Sequence, residues 1–498
     1  MKITYLLCLL FSLHLLLPAQ EGFIEIYDLG YSGSTFHNIT LDQDTLLCVG
    51  KAVDSTTLLW GILFAKLDTN GQVLFQRLYL DPDGNHIYMR TNSSIIKTQD
   101  GGYAMCGHDY SHAYFLKIDN LGGIDLFKKY EFDALLVKQK KIIETEDGYL
   151  LCGTIQENNY SNQVYVKKID KQGNELWEQD YGAPAINDFM NSFLKLDENT
   201  YVIGYGQSAS DGTTAIWGKS RITAIDSLGN IKWEWASSPL DEFFALWGLN
   251  PTSDGGWIFI CNYVHNFWEG NNYPNTRYRI VKLDSARDIE WTKFFGEFDN
   301  VVKVMVDLIP APKGNYVGVG NYSELLNVGG SYSARTFKIT SEGDSLWNRL
   351  DTVVWNGSDT SGWGEAIHSG IVVLPSGSTI SCGITTYVNY PIARSYAFLI
   401  KLNKDGCVNP GCNPSINAVD WEQVASFNLF PNPANDWLKI EGQGIFDVEI
   451  FDVNGRLLTQ KSKQKDVSTI HVDNWPNGEY FVRIRIGKQV VINKVLKI

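Results

Sequence analysis

Aromatic and amide side chains are concentrated in one stretch of the chain, residues 264–279, which reads VHNFWEGNNYPNTRYR. Sugar rings stack their C–H groups on aromatic faces, while their hydroxyls pair with amide side chains. The stretch therefore predicts a saccharide-binding loop, and the alternative is a long loop that is held down by its own aromatics. The predicted ligand-binding residues are Phe267, Trp268, Asn271, Asn272, Tyr273 and Tyr278.

Histidine and carboxylate groups offer two weaker candidates for a metal site. His108, Asp109 and His112 could ligate a metal, but no third strong ligand stands nearby, so we expect ordinary surface side chains. Residues 81–85, DPDGN, have the start of a calcium loop but lack its later acidic positions, which favours a turn. We predict neither a metal nor another cofactor.

No catalytic group can be singled out from the sequence. Asp and Glu are scattered among turns, and no nucleophile motif, phosphate-binding loop or dinucleotide fingerprint stands out. We therefore predict no catalytic residue and favour a binding protein over an enzyme.

A tandem repeat supplies the elements that must position these residues. Residues 167–182, KKIDKQGNELWEQDYG, combine a strand, an Asp-x-x-Gly turn and an aromatic-rich strand. Similar stretches recur with separations of 51, 51, 56, 58, 56 and 63 residues, a period that indicates a repeat array. The equivalent positions are Asp68, Asp119, Asp170, Asp226, Asp284, Thr340 and Asn403.

Each repeat holds four strand signals in about 55 residues, which is the size of a propeller blade. The seventh copy ends at Gly406 without a fourth strand, while residues 22–30, GFIEIYDLG, resemble a fourth strand that stands alone. We predict an all-β, seven-bladed β-propeller over residues 21–412, whose N-terminal strand completes the last blade and hides the free edges. An open β-solenoid, the alternative, would not explain a missing last strand matched by a spare first one.

The cysteines fall into two groups. Those at one repeated position predict small buried side chains on an inner strand of five repeats: Cys48, Cys106, Cys152, Cys261 and Cys382. Cys407 and Cys412 lie in a short loop, CVNPGC, and could close a disulfide in an exported chain. The repeated aromatics of the fourth strands predict packing between blades: Phe75, Phe127, Trp177, Trp233, Trp291 and Trp347.

Both ends of the chain differ from the repeats. Residues 1–20 predict a signal peptide, with Lys2 ahead of a short apolar run, and no later apolar run is long enough for a transmembrane segment. Residues 413–426 read as a linker, and 427–498 as a small Ig-like β-sandwich of short alternating strands. The net charge of −14 argues against a nucleic-acid partner.

The C-terminal block resembles the type A C-terminal sorting domain of type IX secretion cargo. The resemblance rests on 431–434 (PNPA), 452–456 (DVNGR), 477–482 (NGEYFV) and 494–498 (KVLKI). It implies export to the periplasm, passage across the outer membrane by the type IX machinery, and release or attachment at the cell surface. The residues that carry the sorting motif are Pro431, Asn432, Pro433, Gly455, Gly478 and Tyr480.

Three functional hypotheses follow. The first is an exported cell-surface or secreted propeller that binds a glycan or a surface protein. Its ligand would meet the face formed by the loops between second and third strands and by the blade-to-blade connections, because these loops vary most. The second is a secreted polysaccharide hydrolase or lyase with an acidic pair at the propeller channel. The third is a structural adhesion component.

Overall fold

The computed structural model describes residues 22–158, 161–182, 187–210, 215–237, 243–265, 275–295, 301–324, 332–351, 353, 363–389, 392–409, 412, 427–453, 456–486 and 489–498. The predicted signal peptide (1–20) and linker (413–426) lie outside these residues. The described part is all-β, with one short 3-10 turn at Pro312–Gly314.

Repeated four-stranded antiparallel sheets make up residues 23–402. The first sheet has the order β2-β3-β4-β5, with strands Ser34–Asp42, Thr45–Val53, Trp60–Asp68 and Val73–Tyr79. The second has the order β6-β7-β8-β9, with strands Ile95–Lys97, Tyr103–His108, His112–Ile118 and Ile124–Glu131.

The next two groups of four are joined through one parallel bridge between Asn162 and Asn187. One contains β10 (Leu136–Glu144), β11 (Gly148–Asn158), β12 (Ser161–Asp170) and β13 (Glu175–Tyr181). The other contains β14 (Asn187–Asp197), β15 (Thr200–Ser210), β16 (Ala215–Ile225) and β17 (Ile231–Ala236).

Two further sheets follow in the same meander order. Their strands are β18 (Phe243–Pro251), β19 (Trp257–His265), β20 (Asn275–Leu283) and β21 (Ile289–Phe295), then β22 (Val301–Pro310), β23 (Tyr316–Glu324), β24 (Tyr332–Ile339) and β25 (Ser345–Asp351).

The N-terminal strand pairs with the last of these sheets. That sheet contains β26 (Trp363–Val373), β27 (Thr379–Asn389) and β28 (Ile392–Leu402), and β1 (Phe23–Tyr27) runs antiparallel to β28. Ile24 lies opposite Ile400 and Ile26 opposite Phe398. The spare strand predicted at 22–30 therefore supplies the fourth strand that the last repeat lacks.

The Asp-x-x-Gly turns connect the third and fourth strands. Asp170 Oδ1 accepts hydrogen bonds from the backbone N–H groups of Gln172 (2.9 Å) and Asn174 (2.8 Å), and Gly173 adopts a φ of +77°. Glycine suits this left-handed conformation. Arg287 stands where the other turns have glycine, and its residue type predicts an irregular turn. The structure contradicts this expectation, because Arg287 adopts a φ of +72° and its N–H donates to Asp284 O as in the other turns.

Neighbouring sheets interlock at these turns. Tyr181 Oη, on a fourth strand, donates a hydrogen bond of 2.7 Å to Gly229 O in the next turn, and a Cβ at Gly229 would lie 3.1 Å from the Trp177 ring. The predicted packing of repeated aromatics between repeats is confirmed at this position. Phe23 and Tyr27 of β1 contact Gly71 in the same way, with a Tyr27 bond of 2.9 Å. The N-terminal strand thus packs on the first sheet as each fourth strand packs on the sheet that follows.

Apolar clusters fill the spaces between sheets. One cluster joins the first and last sheets, with Phe36 and Cys48 on one side and Cys382 and Leu399 on the other. The five repeated cysteines are all buried and lie on second strands, which confirms their predicted packing role.

The C-terminal residues form one five-stranded sheet with its own core. Its strands are β29 (Asn428–Phe430), β30 (Trp437–Asp452), β31 (Leu457–His471), β32 (Gly478–Ile486) and β33 (Gln489–Lys497). The register of β30 against β31 shifts between Glu441 and Ile445, which marks a bulge or irregularity in the pairing. Asn432 holds the C-terminal strand, because its Oδ1 accepts from Leu496 N and its Nδ2 donates to Lys494 O.

Candidate ligand-binding site

A cationic cluster lies on strands and a connection of the first three sheets. We use this name for the side chains of Lys51 near the end of β3, Arg90 in the connection between β5 and β6, and Lys138, Lys140 and Lys141 on β10. His37 on β2 and His108 at the end of β7 lie against it. The ends of β3 and β7 and the start of β10 belong to the face of the second-to-third-strand loops, which is the face predicted for ligands.

The positive charge of Arg90 acts on most other members of the cluster and on both histidines. Burial lowers the pKa of His37 to about 3, and the charges of Lys51 and Arg90 lower it further. Burial followed by Arg90, Lys140 and Lys138 likewise lowers the pKa of His108 to about 3. Both imidazoles are therefore neutral at pH 7, so the positive charge of the cluster resides on Lys and Arg.

Lys140 is held by two hydrogen bonds. Its Nζ donates to Met190 O (3.0 Å) and Asn191 Oδ1 (2.9 Å), and it lies 5.3 Å from the centroid of the Trp247 ring. Burial, followed by repulsion from Lys141 and Arg90, lowers the pKa of Lys140 to about 7. The ammonium group is therefore poised between its charged and neutral forms at neutral pH.

One carboxylate of a distant strand faces this cluster. Burial raises the pKa of Asp307, on β22, to about 6, and the charge of Lys141 opposes that rise. Lys141 Nζ donates to Asn92 Oδ1 at 2.8 Å. Side chains from β10 and β22 therefore influence each other, which is the arrangement expected if first strands surround a common channel.

The cluster differs from other buried lysines in its lack of carboxylate partners. Lys167 forms ion pairs with Glu175 and Glu178, and Lys282 forms them with Asp254 and Glu290. Among the residues that the structure describes, none of the five cations of the cluster forms an ion pair. Charge of one sign that is only partly offset by a carboxylate is costly, and an anion bound beside it would stabilise it.

Several buried polar atoms beside the cluster also lack partners within the described part of the chain. They are both ring nitrogens of His37, Nδ1 of His108 and Nε1 of Trp247. Buried polar groups are usually hydrogen-bonded, so these atoms mark a place built to meet a polar group from outside.

An aromatic patch extends from the cluster to the surface. Tyr110 is 67% exposed, and its ring meets that of Tyr88 edge to face at 6.0 Å. Tyr88 also stacks with His86 (6.0 Å) and contacts His108 (6.5 Å). We call Tyr88, Tyr110 and His86 the aromatic patch.

The predicted loop residues are only partly described. Phe267, Trp268, Asn271, Asn272 and Tyr273 lie outside the described residues. Tyr278 is fully buried, and its hydroxyl donates to Asn321 O at 2.8 Å. Its ring packs on Phe295, so its place is in the core between two sheets rather than on a binding surface.

The two metal candidates behave differently from each other. His108 is buried at 2% exposure, which contradicts the expected surface position, whereas His112 is part-exposed and pairs with Asp109 at 2.9 Å. Across the described ranges no three His, Cys, Asp or Glu side chains come together as a metal site would require. Residues 81–85 form the predicted turn, with Gly84 N donating to Asp81 O.

The loop that follows the last repeat is closed by a disulfide. Cys407 and Cys412 are bonded, with their Cα atoms 5.7 Å apart. Cys407 is buried against the end of the last sheet, where its N–H donates to Asn403 Oδ1.

The cationic cluster was not predicted from the sequence. Residues 138–141, KQKK, read only as part of an entry strand, and Arg90 lies in a connection with no motif. The available signal was three lysines within four residues on a strand that must line the inside of a repeat array. Lys51 and Arg90 join them only through the fold.

Comparison with known families identifies the C-terminal domain. Residues 428–498 match the family described as "Secretion system C-terminal sorting domain". The chain is therefore an exported protein that carries a type IX sorting domain, and this domain implies interaction with the secretion machinery and a secreted or cell-surface location. Of the sorting residues, Tyr480 donates from its hydroxyl to Pro476 O, while Gly455 lies outside the described residues.

Comparison with solved structures returns propeller-like neighbours at low similarity. Drosophila Plexin A in complex with Semaphorin 1b is 9% identical, with 76% of this chain and 86% of that chain covered and a TM-score of 0.41. An ACO mutant from Synechocystis is 11% identical, with 79% and 92% covered and a TM-score of 0.42. No curated protein matches the chain. No membrane-spanning helix is found among the described residues.

Proposed function

We propose that this protein is an exported ligand-binding propeller, with residues 21–412 forming seven four-stranded blades around a central channel. Support comes from the repeated sheets, from β1 as the fourth strand of the last sheet, and from the apolar cluster shared by the first and last sheets. Residues 413–426 act as a linker, and residues 427–498, which form one five-stranded sheet instead of the expected two-sheet sandwich, direct secretion.

The binding face is the one that carries the cationic cluster and the aromatic patch. The observation that carries the proposal is the set of cations without carboxylate partners among the described residues, beside buried polar atoms that also lack partners. Such a site is unfavourable when empty and is compensated by a ligand. The ligand is a glycan or a surface protein, and the aromatic and amide residues at 267–273 remain predicted contributors to its binding.

Binding is favoured over catalysis because the sequence singles out no catalytic pair, and two first-strand carboxylates have neighbours other than a second acid. Asp307 faces Lys141, and Asp188 is buried and accepts a hydrogen bond from Gln207 at 3.0 Å. A polysaccharide hydrolase or lyase needs two carboxylates that can reach one glycosidic bond. Hydrolase, lyase and structural adhesion functions become the outcomes that the experiment must separate.

The test uses the full mature chain in three parallel assays. Glycan-array binding and capture of labelled surface proteins should give a saturable ligand, and Trp268→Ala with Tyr273→Ala should weaken saccharide binding. Release of new reducing ends from a polysaccharide would favour the hydrolase, and self-association without a ligand would favour the adhesion component. Absence of any ligand in all assays would overturn the proposal.

A further inference from the structure

We propose that the ligand of this face is an acidic glycan, and that its carboxylate or sulfate group is bound by Arg90, Lys138 and Lys140. This inference rests on the proposed binding function and deepens it by naming the chemical class of the ligand. Its basis is the geometry of the cationic cluster and of the aromatic patch beside it.

Positively charged side chains are concentrated in the cationic cluster, although the chain as a whole is acidic. The whole chain carries a net charge of −14, yet the lysines of β10 lie beside the connection that carries Arg90, where Lys141 Nζ donates to Asn92 Oδ1 at 2.8 Å and Ser94 N donates to Lys140 O at 2.7 Å. Elsewhere a buried lysine such as Lys117 lies between two carboxylates, Asp100 and Asp125, at 2.7 and 2.6 Å. A cationic recess in an acidic protein focuses its field on anions and repels other cations.

A ligand must also be able to reach the cations of the cluster from the solvent. Arg90 is exposed, and Lys51, Lys138, Lys140 and Lys141 all keep part of their surface in contact with solvent. His37 and His108 are closed in behind them. An anionic group can therefore reach Arg90 and Lys138 from outside, while Lys140 Nζ is already held by Met190 O and Asn191 Oδ1.

The aromatic side chains beside the cluster favour a glycan over other anions as the ligand. The aromatic patch continues outward from His108, and Lys51 Nζ lies 4.4 Å from the centroid of the Trp60 ring, whose backbone N–H donates to His86. Aromatic faces beside cations suit a sugar ring that carries an acid group. Nucleic acid needs a long exposed basic stripe, which the net charge of this chain opposes.

The experiment compares matched probes on the full mature protein. Binding is measured by calorimetry with oligogalacturonate, its fully methyl-esterified form, a heparin oligosaccharide and inorganic sulfate. We expect both acidic saccharides to bind, and the methyl ester to bind at least about tenfold more weakly because its charge is lost.

Two variants locate the site. Lys138→Gln combined with Lys140→Gln should weaken acidic-saccharide binding by about tenfold or more. Lys232→Gln removes one charge from an exposed lysine near the opposite turns, where its Nζ contacts Thr200, and should leave binding unchanged. If the double variant does not fold, Arg90→Gln in the exposed connection takes its place.

Several outcomes would overturn the inference. Acidic and esterified saccharides that bind equally, or variants that bind as wild type does, would refute it and leave the proposed function standing with another ligand. Sulfate alone binding as tightly as the saccharides would indicate a small-anion site. Tighter binding of single-stranded DNA or anionic lipid vesicles would indicate a different ligand class. Binding of no probe together with no ligand in the broader screens would remove the proposed function itself.

Discussion

Lys140 and Asp307 make the cationic cluster sensitive to pH. Their pKa values, about 7 and about 6, lie within the neutral range, whereas the pKa values of His37 and His108, about 3, lie below it. As the pH falls from 8 to 5.5, Lys140 gains a proton and becomes positive, and Asp307 gains one and becomes neutral. Both changes add positive charge. The other charged groups that face this region are Arg90, Lys51, Lys138, Lys141 and Asp109.

We therefore predict that acidic-saccharide binding tightens by roughly fivefold or more between pH 8 and pH 5.5, since each added charge contributes about 1 kcal/mol. Saccharide carboxylates with ordinary pKa values stay ionised in this range. Lys140→Gln should flatten the profile, and calorimetry at fixed ionic strength measures it. Weaker binding at the lower pH would contradict the assigned roles of these two groups.

A single tyrosine hydroxyl tests the contact between neighbouring sheets. Tyr181→Phe removes the 2.7 Å hydrogen bond to Gly229 O and leaves the ring in place. We expect the free energy of unfolding to fall by about 1 kcal/mol. Tyr110→Phe, at an exposed ring, is the control and should change it by less than about 0.5 kcal/mol. Urea unfolding of both variants gives the values, and equal effects would mean that the inter-sheet bond adds nothing.

At the scale of elements, two glycines with positive φ are constrained for separable reasons: Gly343 lies in a turn between third and fourth strands, and Gly255 lies in a turn between first and second strands. Gly343 (φ +81°) and Gly255 (φ +85°) share the left-handed conformation, but a Cβ at Gly343 would lie 2.8 Å from the Trp291 ring, while one at Gly255 would have an ordinary contact of 3.5 Å. Alanine should cost about 1 kcal/mol at Gly255 from conformation alone. At Gly343 it should cost a further 1–3 kcal/mol or so from overpacking.

Denaturant unfolding of Gly343→Ala and Gly255→Ala measures that difference. Equal losses would show that the tryptophan does not constrain the turn of the next sheet.

The repeated elements were predictable because each is specified locally. Asp170 and Gly173 specify a turn, Trp177 indicates the strand that follows, and the same pattern recurs through the chain. Arg287 shows the limit of that reasoning: its positive φ was not expected from its residue type, and its guanidinium lies 4.7 Å from the Trp233 ring where other repeats place a glycine. Packing against the neighbouring sheet offsets the local preference.

The candidate site was not predictable for the opposite reason. Arg90 and Lys140 are 50 residues apart in the chain and act together only because successive sheets bring them to one face. Tyr278 illustrates the same point. Its aromatic side chain is typical of a binding residue, but it is buried in the core. Side-chain type indicates what a residue can do, but only the fold determines whether it faces a ligand.

At the scale of the whole molecule, the proposed propeller and the C-terminal domain have separate roles, because the C-terminal domain directs export. Among the described residues, the core cluster of the C-terminal sheet consists of residues from the tail itself. We therefore predict that deletion of residues 427–498 leaves a cooperatively folded protein that stays in the periplasm. Cell fractionation checks the location, and export of the truncated protein in wild-type amounts would contradict the role of the sorting domain.

The N-terminal strand is the central structural claim, because it joins the two ends of the repeat array. Residues 22–30 bury Tyr27 and Leu29 against the first and last sheets and cover the edge of β28. Loss of such side chains costs roughly 1.5–3 kcal/mol each, which approaches the stability margin of a typical domain.

The most direct test is thermal unfolding of the mature protein lacking residues 22–30 beside the protein lacking residues 427–498. We predict that the N-terminal deletion lowers the propeller's Tm by roughly 5 °C or more, or prevents folding, while the tail deletion leaves that transition unchanged. A harmless N-terminal deletion together with a tail deletion that unfolds the repeats would contradict the closed seven-bladed ring.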